Sequence, residues 1–346
     1  MPSSIFSSSD RAPGGPWLKV WLSAIFLTIL FLACAEWYWR SQDARPSVTD
    51  TVDLWSSWRN RVYDEVPGRP LVLLGASRMQ LDFSNQTFRN DFPEISLVNL
   101  AIDGQCPLAT LEDLAADEEF IGTALVSITA ACFLRKARGA QSAYVQHYRS
   151  SWTLNRRINA AISAWIQSII VSATPHAKVI NLIKDIGRES ILGGSPRQPN
   201  YMVTYRDRDR SADYTMTDIE EMRRKRIDRR RGANDPLVPA KQWLIEVLDV
   251  EPWIEQIHAR GGRVIFARFP TSGEHLELDE MEYPRSQFWD AFAVKTKATT
   301  IHFKDIIGAS DIFLPDTSHM DASDAPEFTR MLTKELATRG VLDSRE

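Results

Sequence analysis

Residues 71–80 read LVLLGASRMQ: four aliphatic residues, then Gly75-Ala76-Ser77-Arg78. A short unbroken aliphatic run between Pro70 and a glycine predicts a strand buried on both faces, as strands of parallel sheets are. Similar runs recur at 96–101 (SLVNLA), 124–129 (ALVSIT), 263–269 (RVIFARF) and, more weakly, 299–303 (TTIHF). Helix-like stretches lie among them, including 107–117 (PLATLEDLAAD), where Pro107 suits a first turn. Strands alternating with helices predict an α/β domain whose mainly parallel sheet is covered on both faces. Ligands of such sheets bind beyond the carboxyl ends of the strands. Ser77 and the Asp103-Gly104 turn both fall there.

The 346-residue chain is 44% apolar and 25% charged, with a net charge of −4. Nucleic-acid binding usually shows a strong basic excess, so no nucleic-acid partner is expected. The three cysteines form no CxxC or Cys/His cluster, so neither a disulfide scaffold nor a metal site is expected. Cys106 and Cys132 both follow strand ends. They are expected as free buried thiols, since strands flanking the central one set them far apart for a bridge; pairing is the alternative.

Residues 1–16 are Ser/Pro/Gly-rich and read as a disordered N-terminus. Residues 17–39 read as a transmembrane anchor, with Lys19 snorkelling and Trp17, Trp21 and Trp37-Tyr38-Trp39 at the interfaces. The alternatives are a signal peptide cleaved at Ala33-Cys34-Ala35 and a buried soluble helix. Residues 40–69 read as a linker with a short helix around DLWSSWRNRVYDEV (53–66). The folded domain spans 70–346 and carries a helical insert at about 134–262. The insert holds an amphipathic pattern from Trp152 to Ile186 and a highly charged stretch at 205–236. Within that stretch EEMRRKRIDRRR (220–231) reads as a solvated helix with Glu/Arg pairs, or else as a surface for anionic polymer or lipid headgroups.

Near the C-terminus stands LPDTSHMDASDAPEFTRMLTKEL (314–336). Asp316 and His319 are three apart in a loop before a helix, so the carboxylate can fix the imidazole tautomer and stabilise its protonated form. Such an imidazole can take the proton of a serine hydroxyl, which is too weakly acidic to attack unaided. Each piece also has a plain reading: Ser77 as a small turn residue, Asp316-x-x-His319 as a helix cap, Gly104 as a turn glycine.

Together GASR (75–78), NLAIDG (99–104) and DTSH (316–319) resemble three blocks of the SGNH (GDSL-like) hydrolase superfamily. The likeness runs from about Leu71 to the C-terminal helix; the insert has no counterpart in a minimal member. The resemblance implies a flavodoxin-like three-layer α/β/α fold. It implies Ser77 as nucleophile, His319 as general base and Asp316 as its orienting carboxylate. The backbone N–H groups of Ser77 and Gly104 become oxyanion donors, worth roughly 3–4 kcal/mol each. That route needs no cofactor. The family's third-block Asn is missing: the corresponding strand ends SITAACF (127–133), where Thr129 offers only a hydroxyl.

Two further residues are candidate substrate contacts. Arg78 is placed to hold an anionic group, or else to pair with Asp82 or Asp103. His275 lies in a loop-like stretch, 269–290, at the same sheet edge as Ser77. An N-terminal anchor followed by GxSR resembles membrane-anchored members that work on envelope polysaccharide outside the membrane. The implied function is a serine esterase or acyltransferase acting on O-acyl groups of such a carbohydrate. The domain is then extracytoplasmic (periplasmic), with the membrane and other polysaccharide proteins as partners. The alternative, favoured by the missing Asn, is a non-catalytic SGNH-like protein that binds glycan or assembles an export complex.

Overall fold

The computed structural model describes residues 15–64, 69–174, 177, 200–232 and 237–342. Most of the 1–16 segment and the far end of the 152–186 pattern fall outside the described residues. Seven strands follow in chain order: β1 (Leu71–Leu74), β2 (Leu97–Asn99), β3 (Thr123–Ser127), β4 (Met202–Thr204), β5 (Arg210–Ala212), β6 (Arg263–Arg268) and β7 (Thr299–His302). Five of them form one all-parallel sheet in the order β2-β1-β3-β6-β7. Counting only these, the order is the flavodoxin-like 2-1-3-4-5, whose topological switch point lies between β1 and β3.

The aliphatic runs are buried because each strand feeds two cores. Val72, Leu74, Val98, Ala124, Val126, Val264 and Phe266 face one layer, where Trp55, Leu111, Trp243, Val247, Ile254 and Ile257 cover them. Leu71, Leu73, Leu97, Leu125, Ile265 and Ile301 face the other, against Met79, Phe88, Phe328, Leu332 and Leu336. The period-2 alternation of a strand thus divides one apolar run between two helical layers. Phe328, Leu332 and Leu336 sit at i, i+4 and i+8 of the C-terminal helix Ala325–Thr338, which presents one stripe to the sheet.

The N-terminal helix Trp17–Ser41 is about 37 Å long at ~1.5 Å per residue. It is long and apolar enough to cross a membrane, and its apolar side chains stand in the open: Leu18 is 73% and Phe26 65% exposed. Its last turns are docked. Ala35 and Trp39 are buried with Val171 and Ala177, and Glu36 accepts the backbone N–H groups of Val171 (3.0 Å) and Ser172 (2.9 Å). Arg40 donates to the Ile169 carbonyl at 2.8 Å.

The segment after it, read from sequence as a linker, is packed instead. Val48 N–H donates to the Thr204 carbonyl (2.8 Å), and Asp50 pairs with Arg208 at 2.7 Å. The insert, expected to be helical, also contains the antiparallel hairpin β4–β5. Its turn carries Arg208 with φ +64°; the side chain is fully buried and donates to the Asn99 (2.6 Å) and Ala101 (2.8 Å) carbonyls at the end of β2. Charge neutralisation by Asp50 and those two carbonyls is what allows an arginine in YRDRDR to point inward.

Below the sheet a second buried arginine ties helix Val52–Asn60 to helix Leu108–Ala115. Arg59 has no exposure and bonds Asp113 Oδ2 at 2.8 Å and Asp117 Oδ2 at 2.5 Å, while Tyr63 also donates to Asp117. Removing one member of such a buried network strands the others. Arg59→Met should lower the unfolding free energy by about 3–5 kcal/mol, read from the midpoint and slope of urea denaturation; an unchanged midpoint would show that the network contributes nothing.

Candidate active site

The turn after β1 is built on glycine. A Cβ on Gly75 would stand 2.7 Å from Met79 Cβ and 3.2 Å from the Ser127 carbonyl oxygen. With no side chain there, the strand can turn directly into the short helix Ser77–Leu81 and raise Ser77 at its first position. Gly104, in the turn after β2, has φ +67° with open space around it, so its glycine serves the backbone conformation rather than packing. Neither the Ser77 nor the Gly104 N–H donates to another described group.

His319, 242 residues away, meets Ser77 in space: its Nε2 lies 2.7 Å from Ser77 Oγ. Its Nδ1 lies 2.9 Å from Asp316 Oδ2. The loop that does this is tightly wound, with Asp316 Oδ1 accepting the backbone N–H groups of Ser318 (3.0 Å) and His319 (2.8 Å). Thr317 between them has φ +69°, a conformation costly for a β-branched residue. Its N–H bonds the Leu314 carbonyl and its carbonyl accepts from Ser272 N–H, both at 3.0 Å, so the surroundings hold it there.

Asp316 is fully buried and collects two more donors, Tyr214 Oη at 3.0 Å and Arg226 Nη2 at 2.6 Å. Burial alone would push its carboxyl up. The hydrogen bond and charge of His319, then the charge of Arg226, hold it well below the usual carboxylate range. An ionised Asp316 keeps the proton on Nδ1, which leaves the Nε2 lone pair facing Ser77. Burial lowers the His319 pKa, and Arg226 and Arg78 lower it further against the pull of Asp316. Arg226 Nη2 is only 3.1 Å from Nδ1, so a positive imidazole there meets a guanidinium at close range.

Asp82, at the end of the same short helix, is a buried carboxyl of the opposite kind. Oδ1 accepts Met320 N–H at 2.9 Å while Oδ2 has no partner, and burial drives its pKa well above the ordinary range. Through that bond it anchors the loop that carries His319, and its burial disfavours a second negative charge in the site.

Arg78 pairs with neither Asp82 nor Asp103; Asp103 bonds Arg210 at 2.9 Å. Its Nε and Nη2 donate to Ser318 Oγ (3.1 and 3.0 Å), and Nη2 also reaches His275 Nε2 at 3.3 Å. Arg78 and His275 thus line one cavity, beside Thr129, the residue standing where the resemblance expects Asn. Cys106 and Cys132 are joined in a disulfide with Cα atoms 5.3 Å apart, against the expectation of free thiols. The strands that precede them do flank β1, but both cysteines lie past the strand ends, where the loops bend inward over β1. Gln141 Nε2 bridges the same place, donating to the Gly75 carbonyl at 3.2 Å.

The basic stretch 220–231 is the expected helix, Ile219–Gly232, with acid–base pairs at helical spacing, Glu220–Arg223 (3.2 Å) and Glu221–Lys225 (2.7 Å), but one face is engaged with the site. Arg223 donates to the Pro315 carbonyl (2.6 Å), Arg226 binds Asp316, and Arg230 binds Asp279 (3.0 Å) and Glu282 (2.7 Å). The spacing 223, 226, 230 puts them in one row, a signal visible in the sequence once a carboxylate partner is sought. Tyr214 carried no such signal.

No family model matches the chain, and no curated protein matches it in sequence. Among solved structures, TesA is similar over 79% of this chain and 100% of its own, at 11% identity and a TM-score of 0.37. The Bacillus subtilis protein YxiM is similar over 81% of this chain and 59% of its own, at 11% identity and a TM-score of 0.36. Likeness this loose assigns no chemistry.

One consequence of the geometry is directly measurable. His319 should titrate below the ordinary histidine value of about 6.5, and Arg226→Met should move the midpoint upward, because a cation facing the imidazolium is gone while Asp316 stays. NMR of ring-labelled histidine follows this; a midpoint that holds still or falls contradicts the arrangement.

Proposed function

We propose that this chain is a serine-dependent esterase or acyltransferase acting on O-acyl groups of a cell-envelope polysaccharide or related carbohydrate. The single observation that carries the reading is the 2.7 Å contact between Ser77 Oγ and His319 Nε2, with Asp316 behind it. In the proposed route Ser77 Oγ attacks the ester carbonyl carbon while His319 Nε2 takes its proton. The tetrahedral oxyanion is met by the Ser77 and Gly104 N–H groups, which have no other acceptor, with the Thr129 hydroxyl as a further donor. Collapse expels the sugar alkoxide, and His319 returns the proton to it. The acyl-serine then passes its acyl group to water or to another hydroxyl, with His319 deprotonating the acceptor. The lowered His319 pKa favours the unprotonated base that this route needs.

The membrane-anchored, extracytoplasmic placement is part of the same proposal. It is supported by the long apolar helix Trp17–Ser41 and by the Cys106–Cys132 disulfide, since such bonds persist in oxidising compartments. A carbohydrate polymer outside the membrane, made or exported by other envelope proteins, fits that position.

A fluorophosphonate probe tests the nucleophile. The wild-type chain should label covalently, Ser77→Ala should not, and His319→Ala should label about 10²–10⁴-fold more slowly. Well-folded wild-type protein that stays unlabelled would instead favour a non-catalytic glycan-binding role, with the missing third-block Asn as the physical reason.

A further inference from the structure

Arg78, the residue after Ser77, lines a cavity of about 110 Å³ whose wall is rich in hydrogen-bond donors, with Arg230, Arg268, Arg285, His275 and His302 around it. Most of the positive charge is already answered. Arg268 meets Asp279 at 2.5 Å, and Arg230 meets Asp279 and Glu282. Arg285 meets Asp305 at 2.7 Å and Asp290 at 3.0 Å. Glu280, the other carboxylate of the wall, is held by Lys304 at 2.6 Å.

Arg78 is the exception. No described carboxylate lies within ion-pair distance of it, and its Nη1 bonds no described group. Burial, then the charge of Arg268, pulls its pKa down to about 10 against the more distant charges of Asp279 and Asp82, so it remains a cation at neutral pH. The two histidines are neutral donors. His275 Nε2 accepts from Arg78, which leaves its proton on Nδ1, a buried donor with no partner. His302 Nδ1 accepts the Lys304 N–H at 3.1 Å, which leaves its proton on Nε2. Burial holds both pKa values down to about 3.

A wall of donors around a guanidinium that lacks an ion-pair partner is complementary to an anion. A planar carboxylate matches the edge of that guanidinium, whereas a phosphate monoester brings about two negative charges to a wall whose named cations and carboxylates already balance. The position is equally telling. Arg78 follows Ser77 in sequence and bonds Ser318, the residue before His319. A carboxylate held here belongs to the saccharide that presents its ester to Ser77. We infer that this cavity is a carboxylate subsite; that its ligand is a carbohydrate, which would then carry uronic acid residues, rests on the function proposed above.

The test is binding, measured by calorimetry on the full-length Ser77→Ala protein in nanodiscs with a trimer of galacturonic acid and its methyl-esterified, uncharged counterpart. The acid trimer should bind about 10–100-fold more tightly, and Arg78→Gln should abolish the difference. A variant-free readout accompanies it: acetate should compete with the trimer, and acetamide should not. Equal binding of acid and ester, discrimination that survives in folded Arg78→Gln, or stronger competition by inorganic phosphate than by acetate overturns the inference. Because Ser77→Ala does no chemistry, failure of probe labelling in the wild type leaves this result untouched, and the two ideas fail separately.

Discussion

The site depends on one buried charge. Asp316 has no exposure, and an ionised carboxylate in that position is tolerable only if its lone pairs are occupied. Two donors come from its own loop, one from His319, and two from the insert, through Tyr214 and Arg226. The carboxylate therefore joins the C-terminal loop to the turn after the β4–β5 hairpin and to a helix, some 90 to 102 residues earlier in the chain. The insert is part of what makes the Ser77–His319 contact possible, since without its donors the acid would be under-satisfied and the imidazole less well oriented.

The same interaction constrains the base. A carboxylate behind an imidazole normally favours the imidazolium; a guanidinium shared with that carboxylate opposes it. Arg226 does both jobs at once, fixing Asp316 while resisting charge on His319. The balance fits the base role that the proposed route gives to His319. Asp82 lies behind the same loop, and burial raises its pKa, which disfavours a second negative charge beside Asp316.

The sheet was legible because strand burial writes itself as aliphatic runs, and all five runs at 71, 96, 124, 263 and 299 correspond to strands of the parallel sheet. Ser77, Asp316 and His319 were legible as short local patterns at strand and helix ends, where backbone geometry is stereotyped. What stayed hidden was long-range charge pairing. EEMRRKRIDRRR looks the same whether its arginines face water or a carboxylate, because helical spacing fixes the row and not its partner. YRDRDR likewise gave no sign that Arg208 turns inward, since that depends on Asp50 in a segment that looks like a linker. The cysteines misled for a geometric reason: strand spacing says little about loops that bend across the strand ends.

The docking of the N-terminal helix sets how the domain can move. Glu36 and Arg40 clamp its last turns to residues 169–172, and the chain that follows is pinned again at Val48 and Asp50. A domain on a loose tether samples a hemisphere around its attachment point; one seated on its helix has a nearly fixed bearing. If that helix lies in a bilayer, the mouth of the serine site keeps one height and one heading above the lipid. Its working range is then set by what is brought to it and not by the swing of the protein.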